Sequence, residues 1–265
     1  MKTNNYKIMI LIIMNCDIFV PIRLTNTRLP QKALRELHGK PIIHYLIERL
    51  RYATKIRHIV VCTTTLESDN PLVEFLEKNK IKVFRGNEKD ILVRFLDAAK
   101  QFDTNFFVNV DGDDIYTDPA YIDKIVDEFQ KTNTDFIDMI GFPFGLRSVG
   151  ITINALQKIC DLKKTNDTET GYRNFFTKIK LFNTKNIVYD LKTKFPDNLR
   201  LSLDYQEDFD LAEVIFKTLG NNFHLLDLLK LFEEKPELLK ITDRLVTQWN
   251  EHWNTNLTDL SIRDM

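Results

Sequence analysis

Cys16-Asp17-Ile18-Phe19-Val20-Pro21-Ile22-Arg23-Leu24-Thr25-Asn26-Thr27-Arg28-Leu29-Pro30-Gln31-Lys32 opens as an apolar run and ends as a cationic loop. The run from Cys16 to Val20 has the length and composition of a buried strand. The loop after it carries Arg23, Arg28 and Lys32 among two prolines. In an open α/β sheet, ligands bind outside the carboxyl ends of the strands. Arg offers a planar fork to phosphate oxygens and Lys a point charge. Cations this dense at a strand end therefore point to a polyphosphate clamp.

Outward from this loop, strand and helix patterns alternate. Strands are expected over Asp17–Ile22, His58–Thr63, Lys82–Phe84 and Phe106–Val110. Helices are expected over Pro41–Ala53, Asn70–Lys78 and Asp90–Phe102, and from Asp118-Pro119 to Phe129. Ile42, Ile43, Leu46, Ile47 and Leu50 recur at helical spacing, and Pro71 suits a first helical turn. Single helices between strands imply βαβ units and a largely parallel sheet. The rhythm breaks after residue 138, where Gly141, Pro143, Gly145 and Gly150 crowd together. A further strand is expected over Leu199–Leu203, then a helix over Glu207–Leu219 and helical spacing across 221–240. Trp249 and Trp253 belong to a tail that packs as a helix or joins a partner subunit.

Bulk properties narrow the function. The chain has 265 residues, 43% of them hydrophobic, and a net charge of -1, so any anion site is local and nucleic-acid binding is not expected. Three cysteines at wide spacing form neither a disulfide framework nor a zinc pattern, which fits a reducing cytoplasm. The apolar stretch Ile8–Met14 is too short to cross a membrane and lacks a small-residue cleavage site. Residues 1–15 read as an extension, with Met14 an alternative to Met1 as initiator.

An acidic counterpart follows the strand at 106–110. Asp111-Gly112-Asp113-Asp114 places carboxylates beside a tight turn, and Mg²⁺ prefers one or two carboxylates together with substrate phosphates and water. Asp204 stands at the end of the Leu199–Leu203 run, ahead of acids that a helix start explains by itself. Two strand-end carboxylates and a cationic loop make a coherent triphosphate site.

These residues also carry a resemblance. Pro21-x-Arg23-x-x-x-x-Arg28-Leu29-Pro30-x-Lys32 resembles the opening loop of bacterial cytidylyltransferases that activate sugar acids. That group includes the 3-deoxy-manno-octulosonate enzymes and, most strongly here, the SpsF-like spore-coat polysaccharide relatives. His38-Gly39-Lys40-Pro41, Val83-Phe84-Arg85-Gly86, Gly112-Asp113, Leu203-Asp204-Tyr205-Gln206-Glu207-Asp208 and Glu233-Glu234-Lys235-Pro236 are similar to further family segments, in the same order. The resemblance implies a three-layer α/β/α Rossmann-like nucleotidyltransferase fold of the GT-A type, with a mostly parallel mixed sheet. It implies a nucleotide-binding core over 16–140 and an acceptor-binding and dimerisation insert over 141–200. A return to the core over 201–220 and a helical tail over 221–265 complete the expected division.

The same resemblance implies roles. Arg23, Arg28 and Lys32 would hold the CTP phosphates, and Asp113 and Asp204 would hold Mg²⁺. Pro21, Ile22, Thr63, Arg85 and Asp111 would lie near the nucleotide. Arg147, Glu169, Tyr172 and Arg173 are acceptor candidates within 141–200, with Glu169 the first choice of base. The partners implied are CTP, a small-molecule acceptor and a second copy of the chain, and the product would feed surface polysaccharide or capsule. Two departures stand out: Asn26 replaces a Ser, and Gln31 replaces a Gly. A UTP- or GTP-dependent sugar-phosphate nucleotidyltransferase is one alternative, although its loop is normally Gly-rich. A glycosyltransferase is another, since Asp111-Gly112-Asp113 is a D-x-D sequence.

Overall fold

A computed structural model of the chain describes residues 14–25, 28–190, 192–196, 199–255 and 257–263. Residues 1–13 of the expected extension lie outside them, as do Asn26 and Thr27 of the cationic loop. The elements in chain order are β1 (Cys16–Pro21), β2 (Glu36–Leu37), β3 (Lys40–Pro41), α1 (Ile42–Leu50), β4 (His58–Thr64), α2 (Asn70–Lys78), β5 (Lys82–Gly86), α3 (Ile91–Phe102) and β6 (Phe106–Asn109). There follow α4 (Pro119–Thr132), β7 (Phe136–Ile140), β8 (Val149–Thr152), α5 (Ile153–Leu162), α6 (Asn174–Thr177), β9 (Thr184–Val188), α7 (Gln206–Leu219), α8 (Leu225–Glu234) and α9 (Leu245–Thr255).

Seven strands form one sheet in the order β5-β4-β1-β6-β8-β7-β9, and β2 and β3 make a separate antiparallel ribbon. Only β8 runs against its neighbours in the main sheet. β1 lies near the middle, with Phe19 opposite Val60 on one side and Asn109 on the other. Its burial on both faces explains the apolar run Ile18–Val20, and the buried Asp17 ahead of it is held by Arg57 and Thr104. Ile18 and Val20 face a core shared with α1, α2, α4, α7 and α8, whereas Phe19 faces one shared with α3, α5 and α6. The result is the expected three-layer α/β/α sandwich.

Helix starts follow local chemistry. The side chains of Asp90, Asp118 and Thr152 accept from the first-turn amides of α3, α4 and α5. Asp90 also pairs with buried Lys163 and accepts from Thr168 Oγ1 at 2.8 Å, which binds α3 to the chain beyond α5.

Two expectations need correcting. The Leu199–Leu203 run is not a sheet strand. It crosses the carboxyl ends of the strands, tied by Leu201 N–H to Phe144 O and Leu203 N–H to Asp113 O, each at 3.0 Å. Its apolar residues are buried by that crossing, which gives a strand-like composition without a neighbouring strand. Residues 141–200, expected as an insert, supply β8 in the interior of the main sheet and β9 at its edge. The turn-rich 141–148 stretch is therefore a reversal within the sheet, not a domain boundary. Over 221–265, helices α8 and α9 flank a 3-10 turn at Pro236–Ile241, and Lys163 and Ile262 then form a β-bridge. No helix among the described residues is long and apolar enough to cross a membrane.

Candidate active site

The carboxyl ends of β1 and β6 open into a cleft of about 660 Å³ lined by Pro21, Ile22, Arg23, Arg28, Lys32, Asp111, Asp113 and Asp204. Gly112 lets the two strand ends meet. Its N–H donates to Pro21 O at 3.1 Å, and a Cβ there would stand 2.6 Å from the Ile22 side chain. Asp69 fixes the other flank. Fully buried, it accepts from Leu24 N–H at 2.8 Å and from the hydroxyls of Thr63 and Thr64. The cationic loop is thereby bound to the end of β4.

Lys32 lies at the centre. It belongs to a 3-10 turn entered through Gln31, whose φ of 54° is left-handed. Its Nζ is 2.7 Å from Asp113 Oδ2 and 3.1 Å from Asp204 Oδ1, and it donates to Leu203 O at 3.0 Å. Burial opposes this charge, but Asp113 and Asp204 outweigh it and raise the ammonium above its ordinary pKa.

Asp204 is almost enclosed by cations. Arg28 reaches its Oδ1 at 2.8 Å, while Arg200 and Ser202 reach its Oδ2 at 2.7 and 3.1 Å. Burial pushes the carboxyl up, yet Lys32, Arg28 and Arg200 together hold it well below the usual carboxylate range. Asp208 supports the turn by accepting from the N–H groups of Asp204 and Tyr205 at 2.8 and 2.9 Å. Arg28 also lies over the Tyr205 ring, 5.2 Å from its centroid.

The β6 side is acidic. Burial raises the Asp113 carboxyl, with Lys32 pulling the other way and Asp204 and Asp111 adding to the rise. Asp114 is pushed up further, first by burial and then by Asp111 and Asp113. Among the described residues no group of three or more His, Cys, Asp or Glu forms a metal cage. Mg²⁺ does not need one, because substrate phosphates and water complete its shell. Asp113 and Asp204 converge on a single cationic atom, Lys32 Nζ, so this donor set fits a divalent cation bound together with phosphate.

The remaining candidates divide. Glu169 accepts from Arg94 at 2.7 Å and lies 4.0 Å from Arg23, and burial lifts its carboxyl against both arginines. Arg173 pairs with Asp111 at 3.2 Å, and Arg147 pairs with Asp138 at 3.2 Å. These residues and Tyr172 line the same cleft. Thr63 and Arg85 do not. Thr63 is turned onto Asp69, and Arg85 donates to the carbonyls of Thr64 and Leu66 at 2.9 and 2.7 Å. A strand end is visible in sequence, but which face its side chains take is not.

Sequence reasoning missed Asp69 and the place of the pair Trp249 and Trp253 in the cleft. Arg94 fits the family pattern, with a structural role expected of it; it is 2% exposed, lines the cleft and pairs with Glu169. The tryptophans had a signal, four-residue spacing on one helix face, but nothing in sequence says which surface that face covers.

Comparisons with known proteins agree with this fold. A family model described as "Cytidylyltransferase" matches residues 18–233. The chain is 24% identical to the spore coat polysaccharide biosynthesis protein SpsF of Bacillus subtilis, over 84% of this chain and 97% of that protein. An uncharacterized protein of Methanocaldococcus jannaschii is 36% identical over 52% of this chain and 57% of its own length. The 3-deoxy-manno-octulosonate cytidylyltransferase of Geobacter metallireducens is 28% identical over 43% of this chain and 44% of that enzyme. Among solved structures, a cytidylyltransferase from Leptospira borgpetersenii superposes with a TM-score of 0.77 at 25% identity, covering 85% of this chain and 97% of that one.

Proposed function

The chain belongs to the cytidylyltransferase family, and from that premise we propose that it is an enzyme transferring CMP from CTP to a small sugar-type acceptor, with release of pyrophosphate. The observation that carries this reading is the convergence of Arg28, Lys32, Asp113 and Asp204, with Lys32 Nζ within 3.1 Å of both carboxylates. Phosphoryl and nucleotidyl transfer need positioning and charge neutralisation more than covalent chemistry from the protein. An acceptor oxygen attacks the α-phosphorus, the bond from that phosphorus to the bridging oxygen breaks, and pyrophosphate carries away the electron pair.

Within this scheme Arg23, Arg28 and Lys32 hold the β- and γ-phosphates and offset the charge that grows on the leaving group. Pro21, Ile22 and the adjoining backbone border the nucleoside, with Asp111 across from them. Mg²⁺ held by Asp113 and Asp204 supplies neutralisation of phosphate charge when bound. Asp113 is the more open ligand, its side chain 24% exposed against 3% for Asp204. Arg147 and Arg173 suit an anionic group on the acceptor, with Glu169 and Tyr172 beside them.

The name of the Bacillus relative supports a place in surface polysaccharide synthesis. The soluble-enzyme character of this chemistry supports a cytoplasmic location, and β9 at a sheet edge, with Val188 59% exposed, suits a homodimer.

Thermal stability measured with Mg²⁺ and each of CTP, UTP, GTP and ATP tests the nucleotide. CTP alone should stabilise the chain, by about 2.7 kcal/mol at a hundredfold excess over Kd. A shift with UTP or GTP instead would move the assignment to the sugar-phosphate nucleotidyltransferases.

A further inference from the structure

The C-terminal segment crosses the mouth of the cleft and is fastened on both sides. On one side Leu245 and Trp249 of α9 pack with Tyr205, the residue after Asp204. On the other, Thr258 N–H donates to Thr170 O at 2.9 Å, Lys164 N–H to Ser261 O at 3.0 Å, and Arg263 N–H to Leu162 O at 2.8 Å. Between these anchors α9 turns two indoles toward the cleft. Trp249 lies 3.9 Å from the Phe144 ring, and Trp253 stacks on Trp249 at 5.2 Å with planes 20° apart. A Cβ on Gly171 would stand 3.9 Å from Trp253, so the aromatic wall runs from Phe144 to the Gly171 turn. The family model ends at residue 233, so Trp249 and Trp253, unlike Phe144 and Gly171, lie outside its match.

Trp249 is 8% exposed and has packing reasons to be where it is. Trp253 packs against the same cluster but is only half-buried and borders the cleft, which leaves part of its indole open to a ligand. An indole face is electron-rich and attracts the weakly positive C–H edges of a ring or a cation. Arg147 and Arg173 line the same cleft, and Arg200, buried and held by Asp204 and Asp208, lies 5.8 Å from the Trp249 centroid. An anionic group on a ligand would satisfy Arg147 or Arg173 in exchange for Asp138 or Asp111.

Building on the cytidylyltransferase reading, we propose that Trp253, backed by Trp249, is the platform of the acceptor subsite, on which a ring-closed acceptor is preferred to a linear one. The ring lays a C–H face on the indole while any anionic group it bears meets Arg147 or Arg173. Trp253 is then a specificity-determining residue that selects cyclic over linear acceptors.

The chain holds just two tryptophans, both in α9, so tryptophan fluorescence, excited selectively over tyrosine, reports from this wall alone. With Mg²⁺ and a non-hydrolysable CTP analogue bound, the full chain is titrated with 3-deoxy-manno-octulosonate, N-acetylneuraminate and galacturonate as ring acids, and with glycerol 3-phosphate as a linear anion. At least one ring acid should change the fluorescence saturably, and glycerol 3-phosphate should not. By calorimetry, W253A should weaken that ring acid about tenfold, and W253F should restore most of it. No response to any ring acid, a response to the linear anion alone, or an unchanged ring-acid Kd in W253A would each overturn the platform. Thermal shift with CTP separates the two levels. A wild-type chain that CTP does not stabilise removes the enzyme reading and the platform with it. A CTP shift kept in W253A beside unchanged ring-acid binding removes the platform alone.

Discussion

Gln31 holds a left-handed φ of 54° immediately before the lysine that bridges Asp113 and Asp204. A side chain in that region costs on the order of 1 kcal/mol, and glycine largely avoids the cost. Gln31→Gly should therefore raise stability by about 0.5–1 kcal/mol in a denaturant titration and leave CTP affinity unchanged. A loss of stability would show that the Gln31 side chain contributes something its backbone geometry does not reveal. This position was visible in sequence as a departure, Gln where the resembling family has Gly, although its conformation was not. Arg28, Lys32, Asp113 and Asp204 were legible because charge gathered this densely beside apolar strands is costly unless opposite charge or a ligand offsets it. Asp69 was not, because it reads as an ordinary acid before a helix and its partner Leu24 lies 45 residues away.

At the scale of elements, the decisive feature is the extended 199–204 segment laid across the strand ends. It brings Asp204 to Lys32 only because Gly145 leaves room for it. Gly145 has a φ of 90°, and a Cβ there would lie 2.1 Å from the backbone of Leu201. Gly145→Ala combines a disfavoured backbone with a clash against atoms that have no rotamer to change. It should cost about 3 kcal/mol or more and abolish CTP stabilisation, as read by thermal shift. An unperturbed Tm would mean that the crossing segment is free to move. The βαβ half of the fold was legible because each helix there has its own apolar stripe and begins at a Pro or Asp. The half after residue 138 was harder to read, because β8 reverses direction and the 199–204 segment is buried without pairing. Burial alone mimics a strand in composition.

Across the whole molecule, a net charge of -1 conceals a strong local separation of charge. The cations expected to meet phosphate and the carboxylates expected to meet metal are one another's partners: Lys32 with Asp113 and Asp204, Arg28 and Arg200 with Asp204. Binding either ligand therefore starts as an exchange of partners. A triphosphate that draws Arg28 and Lys32 away leaves two aspartates in need of positive charge, and a divalent ion on those aspartates releases the cations for phosphate. Thermodynamic reciprocity then requires each ligand to raise the affinity of the other by the same factor. Calorimetric titration of Mg²⁺ with and without CTP should show that factor to be at least about tenfold, and Asp113→Asn should shrink it toward one. Equal Mg²⁺ affinity in both conditions would mean that the ion pairs survive substrate binding. If the coupling holds, the protein behaves as a coincidence detector. Neither nucleotide nor metal alone repays the cost of parting these charges, so the site commits itself only when both arrive.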